Sequence, residues 1–289
     1  MMKNYFMAIC MMAFPLISTA QLMEDKPVLK NIKVVQKFYK NSKDGEIINK
    51  DIAFTGGKLF TIKTSDVIQN FFYDEKGLLN KTTKERVGSN WKEVATYNYD
   101  ANSRLTFFSK KYQDGNEYVT KTVKFSYEGA RIKAEAKRSN SHQQLVEDIE
   151  YIVEEGLIVR RVSRNRNKQI IGKAEYSYGD ANVTRHTGLV GDKTIKMFTY
   201  DDKNSVSQLI VEKLFGVNYK VITPLISFYD DEFEFQSISK NNGLTFKATS
   251  EKFEPVIEKF KYNAINYPIS SSRVDGDGLI ATESAFFYE

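Results

Sequence analysis

A short segment that combines aromatic and acidic residues recurs along most of this chain. Its clearest copy is YNYDANSRL, residues 97–105, in which two aromatic residues lie two positions apart before an acid, a turn and an apolar residue. Neighbouring copies are 22 to 33 residues apart. A period in this range indicates an array of one supersecondary unit that buries its apolar face against its neighbours. The anchor positions, with valine in one tyrosine slot, are Tyr73, Tyr99, Tyr127, Val153, Tyr178, Tyr200, Tyr229, Tyr262 and Tyr288.

The spacing inside one unit predicts β-structure. Residues two apart, such as Phe71 and Tyr73, share one face of a strand. Asp, Asn and Gly follow directly, and they reverse the chain because Asp and Asn cap their own backbone and Gly accepts positive φ. A second turn cluster, such as Asp114-Gly115-Asn116, appears half a period later. We therefore predict an all-β fold, an antiparallel meander of repeated β-hairpins in an elongated or curved sheet.

The faces of these strands can also be predicted. In residues 131–138, Ile132, Ala134 and Ala136 alternate with charged residues, as a half-buried strand requires. We expect the aromatic pairs to face the core and the charges to face solvent. The alternative is an exposed aromatic track that binds sugar rings.

The order of these motifs resembles the YD repeat of the Rhs and teneurin-like proteins, whose unit reads roughly Y-x-Y-D-x-x-G-R-L, then a polar strand and a D-G turn. The best-matching stretch is 96–127, and the resemblance covers roughly 54–289. Three positions depart from the pattern, namely Ser103 for Gly, Val153 for Tyr and Asn263 for the acid. The resemblance implies an exported β-hairpin scaffold without an active site. The toxin region of the large Rhs proteins has no counterpart here.

The first twenty residues have the features of a Sec-type signal peptide. Lys3 precedes an apolar run of about a dozen residues, and Ser18-Thr19-Ala20 provides a small-residue cleavage site. We predict cleavage after Ala20 and a periplasmic, cell-surface or extracellular location, with a retained N-terminal anchor as the alternative. The mature chain then holds 41 Lys and Arg against 37 Asp and Glu, a net charge of +4, and no cysteine. Disulfides and cysteine-ligated metals are thereby excluded.

Beyond this signal peptide, 1–20, the chain divides into a lead-in segment, 21–31, and a β-hairpin repeat domain, 32–289. The regular units span about 54–205, and the looser units span 206–289. No later stretch is apolar for long enough to predict a transmembrane segment. Residues 206–228 are apolar, and Pro224 predicts an edge or a bulge there because proline cannot donate to a strand ladder.

One basic run is the candidate binding surface, for an anionic glycan, lipopolysaccharide or an envelope protein. The alternative is that this run is the solvated face of strands, which is the usual role of such charges and also the interpretation of the acidic run in residues 230–234. A net charge of only +4 in an exported protein argues against nucleic acid. The basic candidates are Arg160, Arg161, Arg164, Arg166 and Lys168.

No catalytic, metal or cofactor motif stands out, and we expect no cofactor. The pair Ser141-His142 lacks the context of a triad, and the only other histidine is His186. Residues 275–278, Asp-Gly-Asp-Gly, predict a hairpin turn rather than a calcium loop, since Glu283 is out of EF-hand register.

The predicted function is an exported, non-enzymatic scaffold that binds a polymer such as a glycan, or a protein partner. The alternative is a structural component that pairs through open sheet edges. A glycan-acting hydrolase with two flanking carboxylates is the third hypothesis.

Overall fold

The computed structural model describes residues 29–40, 43–115, 117–140, 142–191, 193–230, 233–249, 255–275 and 278–289. The predicted signal peptide therefore lies outside the described residues. The strands are β1 (Asn31–Lys40), β2 (Lys43–Thr55), β3 (Lys58–Lys63), β4 (Val67–Tyr73), β5 (Leu79–Arg86), β6 (Lys92–Tyr99), β7 (Leu105–Asp114), β8 (Glu117–Glu128), β9 (Arg131–Ser139), β10 (Gln144–Glu154), β11 (Leu157–Arg164), β12 (Ile170–Gly179), β13 (Asn182–Val190), β14 (Ile195–Tyr200), β15 (Gly243–Ala248), β16 (Val256–Tyr262), β17 (Pro268–Val274) and β18 (Ile280–Tyr288). Between β14 and β15 lie α1 (Val206–Phe215), a 3-10 turn (Gly216–Asn218), α2 (Tyr219–Ile226) and a second 3-10 turn (Phe235–Ile238).

The strands close into a barrel. Each strand pairs antiparallel with its neighbours in sequence, and β18 returns to pair with β1. The predicted meander of antiparallel hairpins is confirmed. The elongated or curved sheet is wrong, and so is the YD-repeat array implied by the resemblance. Repeat spacing sets each hairpin, whereas closure depends on how twist and tilt accumulate around the whole sheet.

The repeat builds one end of this barrel, which we name the tyrosine rim. Seven even-numbered strands end there in the repeat tyrosine, and in six of them the phenol donates to the carbonyl of the first inward residue of the preceding strand. Those carbonyl residues are buried and mostly aliphatic. The Oη to O distances are 2.6 to 2.8 Å in the pairs Tyr73–Leu59, Tyr99–Leu79, Tyr127–Leu105, Tyr178–Ile158, Tyr200–Val183 and Tyr288–Pro268.

The acid that follows the tyrosine closes the turn at this rim. Asp100 Oδ1 accepts hydrogen bonds from the backbone N–H of Asn102 at 2.9 Å and of Arg104 at 3.0 Å. Ser103, at the fourth turn position, has a φ of +58°, and the equivalent Gly77 has +77°. This position takes small or Asn-like residues because a left-handed backbone is costly for most side chains.

Inward and outward faces alternate as predicted. Ile132, Ala134 and Ala136 are buried, while Arg131, Lys133 and Glu135 between them are exposed. The first aromatic of the pair is also buried in most units, as in Phe71, Tyr97, Phe125, Tyr151 and Tyr176. Charged residues also occupy outward positions in the middle of neighbouring strands, as the pairs Lys133–Glu150 and Arg160–Glu175 show.

Residues 201–230 and 233–242, hereafter the lumenal segment, leave β14 at the tyrosine rim and fold into the barrel. The strand interpretation of residues 206–228 is wrong, because they form α1 and α2. Ser205 caps α1 by accepting a hydrogen bond from Gln208 N at 3.3 Å, and α1 buries Val211, Leu214 and Phe215. Pro224 lies inside α2 rather than on a strand edge. No helix within the described ranges is long and apolar enough to cross a membrane.

The copy of the repeat at Tyr229 is therefore also wrong as a strand unit. Tyr229 follows α2 within the lumenal segment. Phe228, Tyr229 and Asp230 match the residue types of the motif, but the residues before them form α2. The long gaps around Tyr229 are explained by this inserted segment.

Candidate functional site

The lumenal segment fills one half of the barrel interior. An 18-stranded barrel encloses more space than wall side chains alone can fill. Phe215 in α1 lies 6.2 Å from the ring of Tyr97 on β6, and Phe235 stacks on Tyr176 of β12 at 4.2 Å. The segment therefore packs against the wall from β3 to β13.

Three inward cations of the wall hold residues 228–230. The guanidinium of Arg161 lies 4.3 Å from the ring centroid of Phe228. Lys121 Nζ donates to the carbonyl of Tyr229 at 3.2 Å. Lys110 Nζ contacts Asp230 Oδ1 at 2.9 Å. These contacts fix the turn after α2 to β7, β8 and β11.

The contact of Lys110 is part of a buried triad. Its Nζ also lies 2.9 Å from Glu93 Oε1, and the side chains of Lys110, Glu93 and Asp230 are 4%, 9% and 3% exposed. Burial raises the pKa of the Glu93 carboxyl, although the charge of Lys110 opposes this. Burial lowers the pKa of Lys110, but the carboxylates of Asp230 and Glu93 outweigh burial and raise it overall. Lys110 is thus held as a cation between the wall and the lumenal segment.

The other half of the interior is a cavity of about 620 Å³ between the lumenal segment and β14 to β18, β1 and β2. Four phenylalanines form much of its apolar lining. Phe198 and Phe246 are Cα partners on β14 and β15, with ring centroids 5.5 Å apart. The other two are Phe260 and Phe286.

The exposure of these rings follows from what packs against them. Phe198, Phe260 and Phe286 occupy the first aromatic position of the repeat, where Phe71, Tyr97 and Phe125 are buried. Phe198, Phe260 and Phe286 are only half-buried and line the cavity, whereas the lumenal segment packs against Tyr97 and Tyr176 on the opposite wall. The same repeat position therefore forms packed core on one side and cavity wall on the other.

Charged side chains also line the cavity. The cations are Lys50, Lys196 and Arg273, and the acids are Glu234 and Glu258. Glu258 and Arg273 are Cα partners on β16 and β17. Burial raises the pKa of the Glu258 carboxyl, against the opposing effects of a hydrogen bond from Ser271 and of Arg273. Arg273 also lies 3.7 Å from Asp275.

Polar residues join the two ends of the lumenal segment at the tyrosine rim. Asn182 and Asn241 are both buried, and their side chains bond at 2.9 Å. Asp201 accepts hydrogen bonds from the Asn242 amide and from the Tyr262 hydroxyl. Tyr262 thus departs from the repeat pattern and fixes the entry of the lumenal segment instead.

Comparisons with known proteins give no family for this chain. No protein-family model and no curated protein matches it. Solved structures with a similar strand arrangement include a porin-like protein from Bacteroides uniformis ATCC 8492, with 9% identity, a TM-score of 0.47, and coverage of 90% of this chain and 98% of that chain. A porin-like protein from Bacteroides vulgatus ATCC 8482 has 10% identity, a TM-score of 0.43, and coverage of 89% of this chain and 97% of that chain.

The structure separates Arg161 from the other four residues of the predicted basic surface. Arg160 lies on the outer wall, with its Nε 3.2 Å from Glu175 Oε1, while the adjacent Arg161 points into the lumen. Lys168 pairs with Asp148 on the outer wall, and Arg166 donates to Gln144 Oε1 at 3.2 Å. Arg164 lines an outer groove together with Lys168. Strand alternation separates residues that are neighbours in sequence, and several of the outer charges are already paired.

The remaining candidates fall in separate places. His142 Nε2 lies 2.6 Å from Glu117 Oε1, His186 stacks on Tyr176, and Ser141 is outside the described residues. Asp275 N donates to Leu279 O at 3.0 Å, the same closure seen in the rim turns, while residues 276 and 277 are not described. Within the ranges that are described, no group of three His, Cys, Asp or Glu could hold a metal.

Sequence reasoning missed Lys196 and Glu258, although the repeat carried a signal for both. Each lies two residues before the first aromatic of its unit, an inward position. When the units are aligned on their tyrosines, Lys196 and Glu258 stand out as charged residues at this position. The other units have Gln69, Ala95, Val123, Ile149, Ala174 and Ser284 there.

Proposed function

We propose that this chain is an exported, non-enzymatic β-barrel that binds a small amphipathic molecule in its lumen. The observation that carries the proposal is the half-filled interior, where three repeat aromatics remain half-buried beside inward charges. A volume of about 620 Å³ is within the range of small-molecule sites, roughly 300 to 1,000 Å³. Such sites combine apolar walls with a few polar groups, as this cavity does.

The outward face of β9 supports a water-facing location. A barrel that spans a membrane presents an apolar band about 25 Å tall to lipid. Here the outward positions of β9 are Arg131, Lys133, Glu135 and Lys137. Together with the predicted signal peptide, this wall favours the periplasm or the extracellular space.

The structure removes the basis of two earlier alternatives. Pairing through open sheet edges needs a free edge, and among the described strands β1 and β18 already pair with each other. An exposed aromatic track needs free tyrosines, but six repeat phenols donate to backbone carbonyls at the rim. Binding of a glycan or an envelope protein stays a prediction.

A cavity-filling substitution tests the proposal. Gln36 points into the cavity from β1, whereas Asn49 on the paired strand β2 is exposed on the outer wall. We expect the neutral fluorescent probe N-phenyl-1-naphthylamine to bind the native protein. Gln36→Trp should weaken that binding by about tenfold or more, a change of about 1.4 kcal/mol.

The matched control is Asn49→Trp, which adds the same ring to the outside and should leave the probe affinity unchanged. Both variants should keep the far-ultraviolet circular dichroism spectrum of the native protein. Absence of probe binding to the native protein, or equal binding by Gln36→Trp, would reject the lumenal site.

A further inference from the structure

The charges of the cavity select among amphipathic ligands. Its lining holds the three cations Lys50, Lys196 and Arg273 against the two acids Glu234 and Glu258. Burial also raises the pKa of the Glu258 carboxyl, which favours its neutral form. Among the described lining residues, cations therefore outnumber acids.

Lys196 differs from the other two cations. Arg273 is shared between Glu258 on β16 and Asp275. Lys50 has a partner within the protein. Lys196 points inward, opposite Ala248 on β15 and His186 on β13, and its ammonium has no ion pair or hydrogen bond within the described part of the chain.

The position of Lys196 relative to the apolar wall suits a two-part ligand. Lys196 lies two residues before Phe198 on the same inward face of β14, on the side away from the tyrosine rim. Phe198 and Phe246 begin the apolar lining next to it, and Phe260 and Phe286 continue it. A cation at one end of an aromatic wall matches a charged head group followed by an apolar body.

We propose that the cavity binds an anionic amphiphile, with a carboxylate or phosphate head group at Lys196 and an apolar chain against the four phenylalanines. This inference rests on the proposed lumenal function and specifies its ligand class. Hydrogen bonds to charged groups are stronger than those between neutral groups. The anionic head group should therefore increase affinity by about 10- to 100-fold over a neutral head group on the same chain.

Isothermal titration calorimetry of the mature chain with ligands of one chain length tests this preference. The probes are dodecanoate, dodecyl phosphate, dodecanol and dodecyltrimethylammonium, each below its micelle concentration. We expect one or both anions to bind more tightly than dodecanol, and the cation to bind most weakly. The tighter of the two anions identifies the head group.

Lys196→Gln should reduce the affinity for the anions to that for dodecanol and leave dodecanol binding unchanged. Lys247→Gln is the matched control, because Lys247 is an exposed lysine on the outer face of the paired strand β15. Its affinities should equal those of the native protein.

The outcomes separate the two proposals. If neither the naphthylamine probe nor any dodecyl compound binds, the lumenal function itself fails. If dodecanol binds as tightly as both anions, or if Lys196→Gln retains the anionic preference, the lumenal function stands and the assignment of the head group to Lys196 is overturned.

Discussion

The repeat tyrosines combine a half-buried ring, packed against the core, with a hydroxyl that bonds to the backbone. Tyr127 packs against the core, its Oη lies 2.8 Å from Leu105 O, and the guanidinium of Arg104 lies 4.6 Å from its ring centroid. Burial raises the pKa of its phenol. Substitutions can measure the contributions of the ring and of the hydroxyl to stability separately, because the two groups make different interactions.

Two substitutions at this position should differ in cost. Tyr127→Phe removes only the hydrogen bond and should lower the free energy of unfolding by about 0.5 to 1.5 kcal/mol. Tyr127→Ala also removes the ring and should cost about 3 to 5 kcal/mol, by analogy with Phe to Ala. Lys133→Ala, at an exposed outward site paired with Glu128, should stay within about 0.5 kcal/mol. Urea unfolding measures all three, and an unchanged midpoint for Tyr127→Ala would contradict its assignment to the core.

The lumenal segment is the element that distinguishes this barrel from a simple meander. Its helices present apolar residues to the wall, and the buried triad fixes the turn after α2. A buried ion pair is costly to break, since removing one partner leaves charge without compensation. Lys110 therefore controls how firmly this segment is held.

Lys110→Met should lower the free energy of unfolding by about 3 to 5 kcal/mol, because Glu93 and Asp230 would each lose the buried cation that lies 2.9 Å away. The control is Lys111→Met at the adjacent, exposed outward position, which should have little effect. Adding Glu93→Gln and Asp230→Asn to Lys110→Met should recover most of the loss. Equal stability of Lys110→Met and the native protein in urea would show that the triad does not hold the segment.

The barrel as a unit depends on a ring of neutral phenols. Burial raises the pKa values of the rim tyrosines Tyr73, Tyr99, Tyr127, Tyr178 and Tyr288 above their ordinary value. In the unfolded chain a tyrosine ionises near pH 10. The folded state therefore retains protons that the unfolded state releases above that pH.

This difference sets the direction of the pH dependence. A group whose pKa is raised by folding contributes its full stability below the unfolded pKa and loses it as pH rises through the folded pKa. We expect the urea midpoint to fall steeply above about pH 10. Tyrosinate absorbance should increase together with the loss of circular dichroism. Full ionisation of the tyrosines in a protein that remains folded would contradict the burial of the rim phenols.

The sequence by itself determined the local architecture. Period-two aromatic spacing and Asx-type turns are properties of a few neighbouring residues, so hairpins, inward aromatics and outward charges such as Lys133 follow from them directly. Closure into a barrel, the helices of residues 206–226 and the cavity were decided only in the tertiary structure. Closure depends on twist summed over all strands, and the helices are stabilised by the lumen that they enter. Whether a ring such as Phe125 or Phe198 becomes packed core depends on which side of the lumen the lumenal segment occupies. The repeat has the same pattern in both units, so it cannot specify that side.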